Sequence, residues 1–480
     1  MNYNVLKFFL PVVMAGTLLA GCGKEFLEEP KPGTSVSPTD VFASNEGVRA
    51  YFNGIYRAIR IQYGAAADVW GIASFNLYRE VKGLDVVLPS GGFAFDYEHD
   101  NREPTYRRTV FTWDYFYDFI NQANNVIAGV EGSDLNEDSK NAFIAEAKAM
   151  RAWCYFELVR EFAHAYSENP EAAGIPIYTI PTTAETKGNP RSKVSEVYAL
   201  IIEDLTFATE HLGVERQLKD VINRNVAFGL LARVYLETAN YAGAITAAQA
   251  ARQGYELNAG IYNAPFTNDI ANNPEVMWGF PQSADQTIYY GTPSSFWGLA
   301  TSASDPQGYY NFFIDSNFVN TFQETDIRKS FFARTGVTDV RKWKTRKFGR
   351  VTNFEDHIVM MRVAEMYLIE AEAKARLGQP DAAAVLLAVQ QNRDASAVPS
   401  GNSGQALIDE ILLERRKELY GEIGVSYLDI KRLGLPLIRS NGHLLRYRLS
   451  IPANANVFTL KIPQKEIDAN ESLTDADQNP

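Results

Sequence analysis

Flat rings and hydrogen-bonding side chains, rather than nucleophiles or metal ligands, are the chemical resource of the long aperiodic stretches of this chain. Residues 278–313 hold ten aromatic side chains (Trp278, Phe280, Tyr289, Tyr290, Phe296, Trp297, Tyr309, Tyr310, Phe312 and Phe313), where the overall 12% would supply about four. A ring face fits the C–H surface of a sugar, and neighbouring Asn, Asp, Arg or Gln groups bond its hydroxyl rim. On that chemistry the ligand-facing candidates are Trp70, Tyr78, Phe93, Phe95, Tyr97, Tyr289, Tyr290, Trp297, Tyr309 and Tyr310, with Arg79 as a polar partner. Glu80, Asp85, Asn101 and Asp305 lie near the same loops in sequence. The competing reading of each ring is that it packs its loop onto the scaffold, since large aromatics are mostly buried. Trp113, Phe116, Trp153 and Phe156 stand in helical pattern and are expected in the core.

Patterns that would carry catalysis are absent. The sequence has no Gly-rich phosphate loop, no Gly-x-Ser-x-Gly elbow, no His-Glu-x-x-His and no paired cysteine spacing, and its five histidines (99, 164, 211, 357 and 443) are scattered. No catalytic residue, metal site or cofactor is therefore expected. The 58 acidic residues leave a pair of carboxylates for glycoside hydrolysis open, because only their separation in space decides. Residues 341–350 hold six basic side chains around Trp343 and Phe348, a composition also found where anionic glycans or nucleic acids bind. The reading taken is a strand with a solvated basic face. A formal net charge of −12 repels a polyanionic backbone, so nucleic acid is not expected as a partner.

At the start of the chain, Lys7 precedes an apolar stretch from Phe8 to Ala20, too short to span a bilayer and suited to a secretion signal. It ends in Leu19-Ala20-Gly21-Cys22, which resembles the bacterial lipobox, where cleavage precedes a cysteine that is then acylated. Residues 1–21 are expected as a signal peptide and 22–39, rich in Pro, Gly, Ser and acid, as lipidated Cys22 and a flexible tether. Acyl chains on Cys22 would anchor the protein to a membrane, at about 0.8 kcal/mol per buried methylene. Cys154 falls on the apolar stripe Phe143, Ala147, Met150, Cys154, Leu158, Phe162 and is expected as a buried thiol.

The elements that must carry the loops are helical. Apolar residues recur at i, i+3 and i+4 over residues 44–62, 112–130, 137–165, 193–212, 223–239, 241–254, 358–377, 380–394 and 404–421, with Asn136 as one N-terminal signal and Ser192 as another. Two segments, 227–251 and 364–389, turn at Asn240-Tyr241 and Gly378-Gln379-Pro380 with small Ala residues nearby, as in a tetratricopeptide hairpin. Residues 63–110 and 260–356 lack helical period. The fold class expected is mainly α: a tetratricopeptide-like scaffold of helix pairs with long loop-rich insertions carrying a few short strands, in halves 40–259 and 260–480 packed as one unit.

Specific strings resemble the SusD/RagB family of Bacteroidetes. They are Ala50-Tyr51-Phe52-Asn53-Gly54-Ile55-Tyr56, Ala123-Asn124-Asn125-Val126-Ile127, Ala145 to Ala152, Tyr155-Phe156-Glu157-Leu158-Val159-Arg160 and Gly174-Ile175-Pro176-Ile177. The order continues through Asp326-Ile327-Arg328, Arg362 to Ala373, Glu414-Arg415-Arg416-Lys417-Glu418-Leu419, Asp429-Ile430-Lys431-Arg432 and Ile462 to Ile467. Departures occur between Glu422 and Asp429, with Gly424 displaced and Ser426 where an Arg is common, and at the end, Gln478-Asn479-Pro480. The resemblance implies an outer-membrane lipoprotein facing the cell exterior, which captures a glycan and passes it to a SusC-like TonB-dependent transporter. Within that resemblance a binder of peptides or another nutrient, an adaptor that touches no ligand, and a surface glycoside hydrolase stay as alternatives.

Overall fold

The computed structural model describes residues 38–87, 92–100, 103–257, 262–267, 270–283, 285, 287–298, 312–348 and 354–480. Residues 1–37, and with them the signal peptide, Cys22 and most of the tether, lie outside the described residues. The principal helices are α1 (Asn45–Arg60), α2 (Gly71–Lys82), α3 (Arg107–Glu131), α4 (Glu137–Phe162), α5 (Val194–His211), α6 (Arg224–Glu237), α7 (Tyr241–Ala251), α8 (Val363–Arg376), α9 (Ala382–Arg393), α10 (Gly404–Leu419) and α11 (Val425–Arg432). The protein is mainly α, and its strands are short.

Local signals set the helix ends. Asn136 Oδ1 accepts the Ser139 N–H at 2.9 Å and opens α4. Every residue of the Phe143 to Phe162 stripe is buried, and burial pushes the Cys154 thiol well above its ordinary range, which leaves it inert. At α5 the helix begins at Val194, and the Glu196 carboxylate accepts the Lys193 N–H at 2.8 Å; Ser192 belongs to the preceding strand.

Helices α3 through α7 pack successively against one another, α8 packs on α7, and both α9 and α10 pack on α8. The two hairpins read from sequence, α6–α7 and α8–α9, are thus neighbours although residues 252–362 separate them. Ala244, Ala247, Ala248 and Ala251 are buried and let α7 approach on both sides. Gly378, at φ +66, turns the second hairpin. One buried apolar cluster includes side chains from Phe42 to Leu473.

Short antiparallel pairs fasten the aperiodic stretches to this scaffold, and a further pair, β2 (Ala173–Pro176) with β3 (Arg191–Lys193), packs beside α5. Strand β1 (Val86–Val87) pairs with β5 (Phe313–Ile314) and joins the 63–110 stretch to the 260–356 stretch. Strand β4 (Val276–Phe280) pairs with β8 (Ile358–Arg362) and closes the base of the insertion. Residues 358–362, expected to begin a helix, form this buried strand instead. Strand β6 (Phe332–Arg334) pairs with β7 (Trp343–Thr345). The basic run around β7 is not a uniformly solvated face: Arg341 is exposed, but Lys344 and Lys347 are buried. Lys344 Nζ donates to Gly298 O at 2.9 Å, and Lys347 Nζ donates to Glu422 Oε1 at 2.6 Å and to the Tyr420 and Glu418 carbonyls. Burial draws both amines down to about 8.

The altered pattern after Glu422 has a steric reason. Gly424 caps α11 at φ +80, donates its N–H to Glu80 Oε1 at 2.5 Å, and sits where a Cβ would run into the Arg79 backbone and Cβ. Ser426 Oγ accepts the Leu84 N–H at 3.2 Å, while Glu422 keeps ion pairs to Arg362 and Lys347. Gly424→Ala is expected to cost at least about 2 kcal/mol, from a left-handed conformation and overpacking together, read as a lower denaturation midpoint.

Candidate functional site: a ring-bearing face at the start of α2

Three partly exposed rings lie along a chain of contacts that passes the start of α2. Trp70 is half-buried and lies against Gly291, where an added Cβ would stand 2.5 Å from Trp70 Cε3. The neighbouring Tyr290 is 42% exposed and packs edge-on to Phe354, with centroids 5.0 Å apart. Phe95, on the short helix Phe93–Glu98, is 44% exposed and meets Tyr106 at 5.9 Å. Between them, the buried carboxylate of Asp68 accepts from Arg107 Nε at 2.9 Å on both oxygens, and the Arg107 side chain is 48% exposed. Gly92 closes over this pair, since a Cβ there would strike both the Asp68 carboxylate and the Arg107 guanidinium, and the Tyr106 hydroxyl donates to Gly92 O at 3.2 Å. Partly exposed ring surface and an oriented guanidinium are thus linked through Asp68, Gly92 and Tyr106.

Beneath it lies a second ring layer that sequence alone placed on the surface. Phe93 meets Phe296 and Phe312 at 5.5 Å, and Trp297 stacks on Phe348 at 5.9 Å and meets Phe312 at 5.5 Å. Phe93 and Trp297 are both buried, so in this structure they pack loop to loop and offer no face to a ligand. The helix Pro293–Trp297 is pinned by Asp356, which accepts from the Ser294 N–H at 2.6 Å and the Ser294 hydroxyl at 2.9 Å; burial pushes its carboxyl up to about 6.

Tyr78, Arg79 and Tyr97 are also interior, correcting their assignment to the ligand. Arg79 donates to Glu161 at 2.6 Å and Glu157 at 2.5 Å and covers the Phe75 ring at 4.1 Å. Tyr78 lies under the Arg108 guanidinium at 4.7 Å. Tyr97 shares a 2.6 Å hydrogen bond with His443 Nδ1. Glu80 and Asp85 are likewise taken, by Gly424 and Arg416. Tyr309, Tyr310, Asn101, Asp305 and the Tyr289 side chain lie outside the described residues. Of the rings named from sequence, Trp70, Phe95 and Tyr290 reach the surface. Asp68, Arg107 and Phe354 were not singled out. Asp68 and Arg107 sit 39 positions apart and meet only in the fold.

A second depression is walled by α3, the segment after strand Ala173–Pro176 and the short helix Gln464–Ala469, with Trp113, Tyr117, Asn121, Tyr178 and Glu466 among its lining. Among the described residues, no group of three or more His, Cys, Asp and Glu has the arrangement to hold a metal ion. No helix there is long and apolar enough to cross a membrane.

Comparison with known proteins agrees with this architecture. A profile described as "Starch-binding associating with outer membrane" matches residues 25–236, and the SusD family profile matches residues 285–480. A SusD-like protein, P38, from Formosa agariphila is 25% identical over 89% of this chain and 91% of its own length. A SusD-like carbohydrate binding protein from Bacteroides vulgatus superposes with a TM-score of 0.81 at 28% identity, over 91% of this chain and 98% of its own. A SusD superfamily protein from Bacteroides thetaiotaomicron shares the fold with a TM-score of 0.79 at 24% identity, over 91% and 100%. With both profiles placed in order along one helical scaffold, the chain belongs to the SusD/RagB family.

Proposed function

We propose that this protein captures an oligosaccharide at the cell surface on the face formed by Trp70, Tyr290, Phe95 and Arg107, without turning it over. The observation that carries the reading is the exposure of rings and of an Asp68-oriented guanidinium along this chain of contacts. Rings of that kind bind sugar C–H surface, and a guanidinium donates to hydroxyls in a fixed fork. The similar Bacteroides vulgatus protein named as carbohydrate binding supports the same ligand class. The Leu19-Ala20-Gly21-Cys22 string supports a lipid anchor at Cys22 in the outer membrane, and the family supports delivery to a SusC-like TonB-dependent transporter.

Binding by ring stacking sets the expected size of the effect. Trp70→Ala and Tyr290→Ala are each expected to weaken oligosaccharide binding by up to about tenfold, the equivalent of 1.4 kcal/mol. Tyr290 is half-exposed, so its removal should leave the fold intact. Trp297→Ala should instead lower stability by about 3–5 kcal/mol. A glycan array followed by calorimetric titration reads the first, and denaturant unfolding reads the second. Undiminished binding in the Trp70→Ala, Tyr290→Ala double variant would remove the site, and time-dependent release of reducing ends by the wild type would replace binding with hydrolysis.

A further inference from the structure

We propose that the depression between α3 and the segment after Pro176 is a separate site for a small ligand bearing a primary ammonium, such as an amino sugar. Its volume is about 240 Å³. That is just under the range of roughly 300–1,000 Å³ typical of drug-sized ligands, and so suits a single ring. The cavity is preformed. The Asn121 amide accepts the Thr182 N–H at 2.8 Å and donates to Thr182 O at 3.3 Å, and Asn124 Nδ2 donates to Tyr178 O and Ile180 O at 3.0 and 3.1 Å. These bonds hold the loop against α3, so little ordering cost falls on the ligand.

The lining chemistry has one sign. Trp113 and Tyr117 meet at 4.8 Å and Tyr117 and Tyr178 at 6.0 Å, giving a wall of rings whose negative faces attract a cation. Asp114, Asp118 and Glu466 line the same cavity; among nearby cations Lys465 pairs with Asp114 and Arg151 donates to the lining Asn124 at 2.8 Å. Asp118 is exposed, and its Oδ2 lies 3.5 Å from the Tyr63 hydroxyl, a long contact for a carboxylate. The partial covering of Asp118 and the Asp114 charge raise its carboxyl, while the Tyr63 hydroxyl and Lys465 lower it. The rings and the lack of a metal-holding cluster among the described residues point to an organic cation, not a metal ion. This inference does not depend on the oligosaccharide face around Trp70.

The test titrates the full protein with glucosamine, N-acetylglucosamine and Nα-acetyl-lysine amide by calorimetry and ligand-observed NMR. Glucosamine is expected to bind at least about tenfold more tightly than its uncharged N-acetyl form. Asp118→Asn, at an exposed position that should not disturb folding, is expected to weaken glucosamine by up to about fivefold. Trp70→Ala should leave glucosamine untouched while weakening oligosaccharide, which separates failure of either site from failure of the other. Lysine amide binding as tightly as glucosamine would keep ammonium recognition and assign the source to a peptide. Equal affinity for glucosamine and N-acetylglucosamine, or unchanged glucosamine binding in Asp118→Asn, would overturn the proposal.

Discussion

Glu418→Ala is expected to destabilise the protein by about 3–5 kcal/mol, the range for a buried ion network that loses one member. Glu418 is fully buried on α10. Its Oε1 accepts from Arg362 at 2.8 Å and Arg393 at 2.9 Å, and its Oε2 accepts from Arg328 at 2.9 Å and Arg393 at 3.1 Å. Arg362 goes on to Glu275 at 3.1 Å and Glu422 at 2.6 Å, and Arg328 to Asp326 at 2.8 Å and Glu414 at 2.6 Å. Lys347 and Lys417 close the periphery on Glu422 and Asp326. The cations Arg328, Lys347, Arg362, Arg393 and Lys417 match the anions Glu275, Asp326, Glu414, Glu418 and Glu422 one for one. Burial opposes the charge on Glu418, yet the Arg393, Arg362 and Arg328 guanidinium groups hold its carboxyl well below the usual range.

Removing Glu418 would leave three buried guanidinium groups short of a partner, and the loss follows from that uncompensated charge, not from the worth of any one pair. Glu418→Gln keeps the shape and removes the charge, and it should lose nearly as much. The exposed pair Lys193–Glu171, with side chains 54% and 64% exposed, is the contrast: breaking it should leave the denaturation midpoint nearly unchanged. Denaturant midpoints for all three variants decide the matter. A Glu418 loss no larger than that of Glu171→Ala would mean the network contributes nothing beyond screened surface charge.

The segments that carry this network show why some of the protein was legible in its sequence and some was not. Helices that bury one stripe, such as α4 with its Phe143 to Phe162 positions, announce themselves by period and cap. Helix α2 does not. Each of its residues is buried, Arg79, Glu80 and Lys82 included, so it has no polar side and reads as an aperiodic stretch. Its charges survive burial because their partners arrive from far along the chain: Arg79 meets Glu157 and Glu161, and Glu80 meets Gly424. Lys344 and Lys347 misled in the same way, being charged, close to exposed Arg341, and satisfied by residues near 298 and 422.

The site divided along the same line. Position in a loop predicts exposure for Trp70, Phe95 and Tyr290, and these rings reach the surface. It failed for Phe93 and Trp297, because loops anchored by the β1–β5 pair pack on one another before they meet solvent. Ring density identified the region, and only the fold separated the outer rings from the inner.

Stability is expected to peak near pH 5 and to fall steeply below about pH 4.5. Glu161 and Glu372 set the acid side. Burial disfavours the charge on each, but Arg79, Lys82 and Lys431 around Glu161, and Arg432 and Arg376 around Glu372, bring both carboxyls to about 2. A carboxyl depressed in the folded state binds fewer protons there than in the unfolded chain. Its stabilisation is present above the unfolded value near 4.5 and is lost as pH falls toward 2, at about 3 kcal/mol each. Above the peak the sign reverses. Burial raises Asp96 and Asp356 to about 6 and Glu80 to about 8, so these groups favour the fold while protonated and oppose it as they ionise. Lys431, drawn down by burial to about 7, and Lys344 and Lys347, at about 8, act in the other direction. In the folded state they release protons that the unfolded chain keeps, so their contribution grows with pH. The sum of these groups is a decline from about pH 5 to 7, a nearly level course to about 8 where Lys431 offsets Glu80, and a rise above it as the three lysines act unopposed. Unfolding midpoints from pH 2.5 to 9 trace this curve, and Glu372→Gln should remove part of the acid limb while Glu80→Gln removes part of the decline toward pH 8. A profile flat between pH 4.5 and 2.5 would show that the buried guanidinium partners do not hold Glu161 and Glu372 ionised.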